Sequence, residues 1–419
     1  MTTNTSGHGV IKGIVVLLFV CMIITTRMMH GFDWDVYLFT EWAVHIFKHG
    51  LPQAYDAEIN TYMPLYQYVL YGFGKLCGSE EAIRQNFNYS RIVTLFFDFA
   101  GLWYVYKWID KRVGYHFLVL LGMLNVAYSY NTVIWGQVDA VSSGLAFISI
   151  YYGFNKKPLA SALFLLLALN MKLQMIVFVP IWGLLYLYNI IETRSWKTFL
   201  FPLLVLAIGQ VILLTPFMFY EKGLEQVYNA VFTSVGQFPK VSAFAFNMWY
   251  WICPQGPVNV LDSEIFIMGL SYKHVGLLLF FCSSFLVMLP LITGVLKRLS
   301  GKSHLWPLKQ HLWLVCALIP LFFFFFNTQM HERYCHPAFI FITASAFFTG
   351  YWLPYIFFSV AYLLNLERVM MSLGLNNYSV FVFDGRFVAA LYAIAIVLLL
   401  AKFVRTKVDA ESNVGLRTI

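Results

Sequence analysis

The chain has 419 residues, is 60% hydrophobic and only 11% charged, and has a mean hydropathy of +0.69; soluble domains carry about a quarter charged residues. That composition excludes a soluble globular enzyme. The net charge of +8 is better explained by basic loops at a membrane surface than by nucleic acid, so no nucleic-acid partner is expected. Backbone groups in lipid must be satisfied internally, so a span is either a helix or part of a closed barrel. Long apolar runs without period-two alternation exclude the barrel. The expected fold is an all-α polytopic membrane protein, one integral domain over residues 1–419.

The first apolar run, 10–28, is longer than a signal-peptide core and is followed by no small-x-small site, so it reads as an anchor. Gly31-Phe32-Asp33-Trp34-Asp35 follows it, two carboxylates one residue apart where the chain has just left the bilayer. Ionisable side chains at such a place are costly unless they have a task. Val36 to Phe47 is amphipathic. Tyr62 to Cys77 is apolar but short and studded with Tyr66, Tyr68 and Tyr71, so both segments are expected to be helices lying in the interface. Further apolar runs lie near 91–108, 115–134, 139–154, 158–170, 174–191, 199–217, 273–296, 309–327, 336–352, 354–371 and 386–404, giving about 12 transmembrane helices in all.

Basic residues collect at alternate connections: Lys107, Lys111 and Arg112; Lys156 and Lys157; Arg194 and Lys197; Lys297, Arg298, Lys302 and Lys309; Lys402, Arg405 and Lys407. The positive-inside rule puts these in the cytoplasm. The segments 29–90, 135–138, 170–174, 218–272, 328–335 and 372–385 then face outward. The run 158–170 has thirteen residues and reaches about 20 Å of a core about 30 Å thick. Its turn, Asn170 to Gln174, should therefore sit inside the protein, with Lys172 in a cavity rather than in lipid.

Two more polar groups fall at outward turns. In Trp135-Gly136-Gln137-Val138-Asp139, Gln137 and Asp139 can hydrogen-bond sugar hydroxyls, or can cap the following helix. Met330-His331-Glu332-Arg333-Tyr334 follows Phe322–Phe326; Arg333 offers a fork of donors suited to a phosphate, or pairs with Glu332. His311, His331 and His336 lack metal-ligand spacing, and there is no glycine-rich phosphate loop, so no metal and no cofactor is expected.

The order of these pieces resembles the GT-C superfamily, polytopic glycosyltransferases that use polyprenyl- or dolichyl-phosphate sugars. The resemblance is carried by the D-x-D pair after the first span, by Tyr62-Met63-Pro64-Leu65 where the family usually has Y-P-P-L, and by the run Arg91 to Asp98 opening the second span. Gly136-Gln137-Val138-Asp139 and His331-Glu332-Arg333-Tyr334 are similar to signatures of the GPI-mannosyltransferase-like bacterial branch and of the dolichyl-phosphate-glucose-dependent glucosyltransferases. It implies a GT-C-like helical bundle and an inverting transfer of mannose or glucose to a hydroxyl of a glycan, lipid or protein acceptor. The reaction would face the periplasm at a bacterial inner membrane or the lumen of the endoplasmic reticulum. It implies Asp33 as general base and Asp35 as an acceptor-positioning acid. His331 and Arg333, with Lys172, would hold the donor phosphate, and Gln137, Asp139 and Glu332 would line the sugar site. A lipid-linked glycan flippase, polymerase or transporter is the alternative; no internal repeat of the kind transporters often carry is evident.

Overall fold

The computed structural model describes residues 5–57, 59–110, 112–233, 236–253, 255–301 and 309–415, with backbone alone at 5–8, 11 and 407–415. Lys111 and Lys302 of the basic clusters, and the Lys407 side chain, lie outside the described residues. Almost everything described is helix, as the composition requires, and the chain packs as two compact units.

The first unit comprises residues 1–176 and 193–237. It contains α1 (Thr5–Met28), α2 (Asp33–His49), α3 (Pro64–Cys77), α4 (Glu80–Asn86), α5 (Arg91–Trp108), α6 (Tyr115–Leu124), α7 (Val126–Tyr130), α8 (Asp139–Phe154) and α9 (Pro158–Met171). After a stretch belonging to the second unit, α11 (Trp196–Met218) and α12 (Gly223–Thr233) complete it. Helix α8 is its buried axis, packed between α5 and α9. Its small side chains permit close approach, and Ser149 Oγ and Ser161 Oγ donate to each other's carbonyls, both at 2.8 Å, tying α8 to α9. Asn170 and Gln210 exchange amide hydrogen bonds of 2.8 and 3.1 Å, tying α9 to α11. Helix α11 otherwise buries only Pro202 and Phe217 and turns its apolar surface outward, as a lipid-facing helix does.

The second unit comprises residues 177–192 and 238–419. It contains α10 (Val179–Thr193) except for its last residue, α13 (Trp249–Ile252), a hairpin of β1 (Ile265–Ile267) and β2 (Leu270–Ser271), and α14 (Tyr272–Leu299), α15 (Lys309–Phe326), α16 (His336–Thr349), α17 (Leu353–Met370) and α18 (Gly385–Gly415). Helix α15 is almost wholly buried against α14, α16 and α18.

All twelve apolar runs are helical, but the expected count of about 12 spans is not met. Among the described residues, five helical stretches are long and apolar enough to cross a bilayer: Leu173–Thr193, α11, α14, α15 and Gly385–Thr406. The number reaches seven if two bent pairs each count as one span, Lys12–Met28 with Asp33–His49 (89°) and Tyr115–Leu124 with Val126–Trp135 (69°). The physical reasons are specific. Helices α9 and α16 have 14 residues each, about 21 Å at 1.5 Å per residue against a core of about 30 Å. Helix α8 has 16 residues. Helix α5 contains Arg91, Asp98 and Lys107, and α17 ends in Asn365, Glu367 and Arg368. Between α6 and α7 the Asn125 side chain accepts from Ala127 N (3.0 Å) and Tyr128 N (3.4 Å), capping a new helix where the sequence pattern suggests one continuous span.

Both segments expected to be helices beside the first span are helices, α2 and α3. Helix α2 begins earlier than its amphipathic pattern, at Asp33 itself. Carboxylates in a first turn face the unsatisfied N–H groups there, so the acidic pair starts the helix rather than preceding it.

Candidate functional site

In the first unit the long-range ties begin with Arg91. The sequence places it merely at the start of an apolar run, yet it is buried and donates to five acceptors: the carbonyls of Thr26, Met29 and Val133 from Nη1, and the His30 carbonyl and Asn88 Oδ1 from Nη2. It staples the end of α1 to the turn after α7. Gly31 (φ +84°) and Gly136 (φ +89°) flank it; a Cβ would fall 2.4 Å from Arg91 Nη2 at the first and 2.9 Å from Arg91 Nε at the second. Both positions therefore need glycine twice, for the left-handed backbone and for the space. Phe32 N donates to the Trp135 carbonyl (2.9 Å), and the two rings stack at 4.9 Å.

That turn is a single π turn, Asn131–Trp135, a widened geometry often met at functional sites. The Asn131 carbonyl accepts from both Gly136 N and Gln137 N, which turns the next side chains back toward α2. Asp35 Oδ2 accepts from Trp135 Nε1 at 2.9 Å and from Gln137 Nε2 at 2.6 Å. Gln137 Oε1 accepts from the Tyr62 hydroxyl (3.0 Å) and from Lys172 Nζ (3.2 Å). Lys172 pairs with Asp139 Oδ1 at 2.6 Å and lies 5.4 Å from the centre of the Tyr62 ring. Asp139, at the N-terminus of α8, also accepts from Asn131 Nδ2 (3.0 Å) and Gln174 Nε2 (3.3 Å). Lys172 is thus inside the protein, as its short helix demands, and an ion-pair partner balances its charge.

Asp33 is placed differently. Two residues on a helix point to nearly opposite sides. Asp33 is exposed and, with His30, Thr40, Arg84 and Asn88, lines an open polar cleft of about 300 Å³. Arg84 of α4 reaches Glu41 of α2 and bonds Glu80 at 3.0 Å, fixing that wall.

In the second unit the His331–Tyr334 turn after α15 is clamped from the loop before α13. Ala243 N and Ala245 N both donate to the Met330 carbonyl (3.0 and 3.2 Å), and Gln329 N donates to the Lys240 carbonyl (3.0 Å). Buried Asp262 accepts from Thr328 Oγ1 (3.0 Å) and Gln329 Nε2 (2.6 Å). Glu332 is 2% exposed and takes Arg333 Nη1 at 2.5 Å, with His331 Nδ1 at 3.8 Å. Burial alone would push the Glu332 carboxyl up; the Arg333 and His331 charges outweigh it and hold the group below the ordinary glutamate range. The His331 ring stands edge-on to Phe238 at 4.7 Å. His336 does not join this group; its Nδ1 lies 3.1 Å from the Tyr362 hydroxyl. Tyr250, in the 218–272 segment, is half-buried, and that burial raises its hydroxyl; Arg368 opposes the shift, and Asp384 and Glu332 add to it.

The expected residues thus fall into two sets, Asp35, Gln137, Asp139 and Lys172 with Asp33 beside them, and His331, Glu332 and Arg333. Asn131, Gln174 and Asp262 join them without a sequence motif, and Arg91 joins them from the head of the run Arg91 to Asp98. The signal for Arg91 was an arginine opening an apolar helix; Asp262 had none. Among the described residues no three of His, Cys, Asp and Glu come together as a metal site would need. The first set can orient a carboxylate beside a polar cleft, and the second can present cations against a buried acid. No protein-family model matches this chain, and no curated protein sequence matches it.

Proposed function

We propose that the chain is a membrane glycosyltransferase of GT-C type. It moves a hexose, mannose or glucose, from a polyprenyl- or dolichyl-phosphate donor to an acceptor hydroxyl on the non-cytoplasmic face of its membrane. The observation that carries the proposal is the buried polar chain Asp35–Gln137–Lys172–Asp139 joined to the acidic D-x-D helix. Lys172 and Asp139 are sunk among apolar helices at high cost and are paired with each other, as functional groups in a membrane protein are.

The chemistry balances as an inverting displacement. The acceptor hydroxyl gives its proton to Asp33, which stands in the open cleft where an acceptor can enter. The acceptor oxygen forms a bond to the anomeric carbon while the bond from that carbon to the phosphate oxygen breaks. The electron pair leaves on the lipid phosphate, whose growing charge a cation must neutralise, the role that the resemblance gives to His331 and Arg333. Lys172, which the resemblance also offers for that task, is already taken up by its ion pair with Asp139. The lipid tail stays in the bilayer throughout, so no soluble nucleotide-sugar site is needed.

The test is transfer by the purified protein in lipid vesicles supplied with a panel of polyprenyl-phosphate hexoses, reading both free lipid phosphate and glycosylated acceptor. Asp33→Asn should lower turnover by about 100-fold or more, the scale of a lost general base. Full activity in Asp33→Asn would remove the base assignment, and no donor consumption from the whole panel would remove the transferase reading.

A further inference from the structure

The two acids of the pair are held in different ways, and the difference comes from the directions of hydrogen bonds. A glutamine amide can sit either way round, but Gln137 cannot. Its Oε1 meets the Lys172 ammonium, which only donates, at 3.2 Å, and the Tyr62 hydroxyl at 3.0 Å. Its Nε2 is therefore compelled to face Asp35, and it does so at 2.6 Å. Lys172 is itself fixed by Asp139, which Asn131 and Gln174 hold from two further sides. Donation consequently runs one way, from Lys172 into Gln137 and from Gln137 into Asp35. Trp135 Nε1 adds a second donor to the same Asp35 oxygen. The chain crosses 102 residues of sequence between Asp35 and Gln137, so the fold and not the local loop sets it.

We infer that Gln137 and Lys172 are positioning residues acting through Asp35, making Asp35 the member of the acidic pair whose charge and direction the helical core dictates. Their work is then to orient a carboxylate, not to bind the sugar or the lipid phosphate directly. The inference rests on the transferase reading only for its kinetic consequence; the geometry of Asp35 can be read without any turnover.

Other charges near Asp35 must be counted. Tyr66 of α3 feels the Asp35 charge, Asp33 lies one turn-edge away on α2, and Arg84 of α4 is engaged by Glu41 and Glu80.

The test uses Trp135 as an internal reporter. Its contribution to the fluorescence, taken as the difference between a protein and the same protein carrying Trp135→Phe, is compared among variants in vesicles at neutral pH. Gln137→Met removes the amide that fixes Asp35 beside the indole and should move the Trp135 contribution. Lys172→Met should move it as well by releasing the amide, and Asp33→Asn should leave it in place. If the enzyme transfers hexose, Gln137→Met and Lys172→Met should lower kcat by about 100-fold, the scale of a misplaced group, and leave KM for the lipid-phosphate donor unchanged.

A Trp135 contribution unmoved in folded Gln137→Met and Lys172→Met overturns the inference, as does a KM for the donor that rises while kcat is unchanged. A moved Trp135 contribution in a protein that consumes no lipid-phosphate hexose upholds the positioning chain and overturns the transferase reading. Lys172→Met keeps the test decisive if Gln137→Met fails to fold.

Discussion

Lys172 and Asp139 show at the level of single residues what the interior tolerates. Their side chains are 9% and 0% exposed, and they meet at 2.6 Å. Removing one partner of a buried pair strands a charge, which costs about 3–5 kcal/mol, whereas replacing both with apolar side chains of similar volume is often neutral. Lys172→Met and Asp139→Asn should each lower thermal stability in detergent by several degrees. The double variant Lys172→Met/Asp139→Leu should regain most of the loss while remaining inactive. A double variant no more stable than either single one would mean that the pair is not the unit that matters. The sequence made these residues legible one at a time: Asp139 as a polar group opening an apolar helix, Lys172 as a cation at the turn of a helix too short to cross. It did not reveal that they bond each other, because local pattern carries no information about a contact between side chains 33 positions apart.

Helices and turns were read with uneven success, and the failures have causes. Periodicity found α2 and α3, but the acidic pair moved the start of α2 to Asp33 because carboxylates are favoured in a first turn. The π turn at Asn131–Trp135 has no sequence signature of its own; only Gly136 just beyond it hints at a left-handed backbone. The His331–Tyr334 turn was visible as a polar break after a phenylalanine run, yet its clamp, Asp262, sits in a long loop with nothing to mark it. The same turn gives a pH prediction with a definite sign. Glu332 is held below its ordinary value near 4.5 in the folded protein. A group depressed in this way adds stability that is fully present above the unfolded value and is lost as the pH falls through the folded one. The difference in thermal midpoint between wild type and Glu332→Gln should therefore be flat at neutral pH. It should shrink once the pH drops below about 4.5, the ordinary glutamate value. A difference that shrinks instead as the pH rises would mean that the Arg333 and His331 charges do not dominate the site.

At the scale of the whole chain, twelve apolar runs were legible as helices, but not how many of them cross a bilayer. Length and charge decide that, and they act in pairs. Between Trp34 and Lys156, beyond the rest of α2 and the short α3 and α4, lie α5, the bent α6–α7 pair and α8. If only the bent pair crosses, or if all three do, Trp34 and Lys156 end on opposite sides of the membrane. Doubt over α5 and α8 therefore cancels as long as the two share one fate. Between Lys156 and Arg194 there is no such cancellation. The stretch Leu173–Thr193 is long enough to cross and α9, with 14 residues, is not, so a hairpin and a single crossing give opposite answers. The basic residues at both ends, Lys156 with Lys157 and Arg194 with Lys197, favour one shared side. The burial of Lys172 against Asp139 lets a short α9 end on protein side chains without reaching water. Cysteines placed singly at the exposed positions Trp34, Lys156 and Arg194, in a background without the native cysteines, should report this in sealed vesicles treated with a membrane-impermeant maleimide. Lys156→Cys and Arg194→Cys should label from the same side and Trp34→Cys from the other. Labelling of Lys156→Cys and Arg194→Cys from opposite sides would make α9 a helix that never crosses, and would take the positive-inside argument for an outward-facing D-x-D cleft with it.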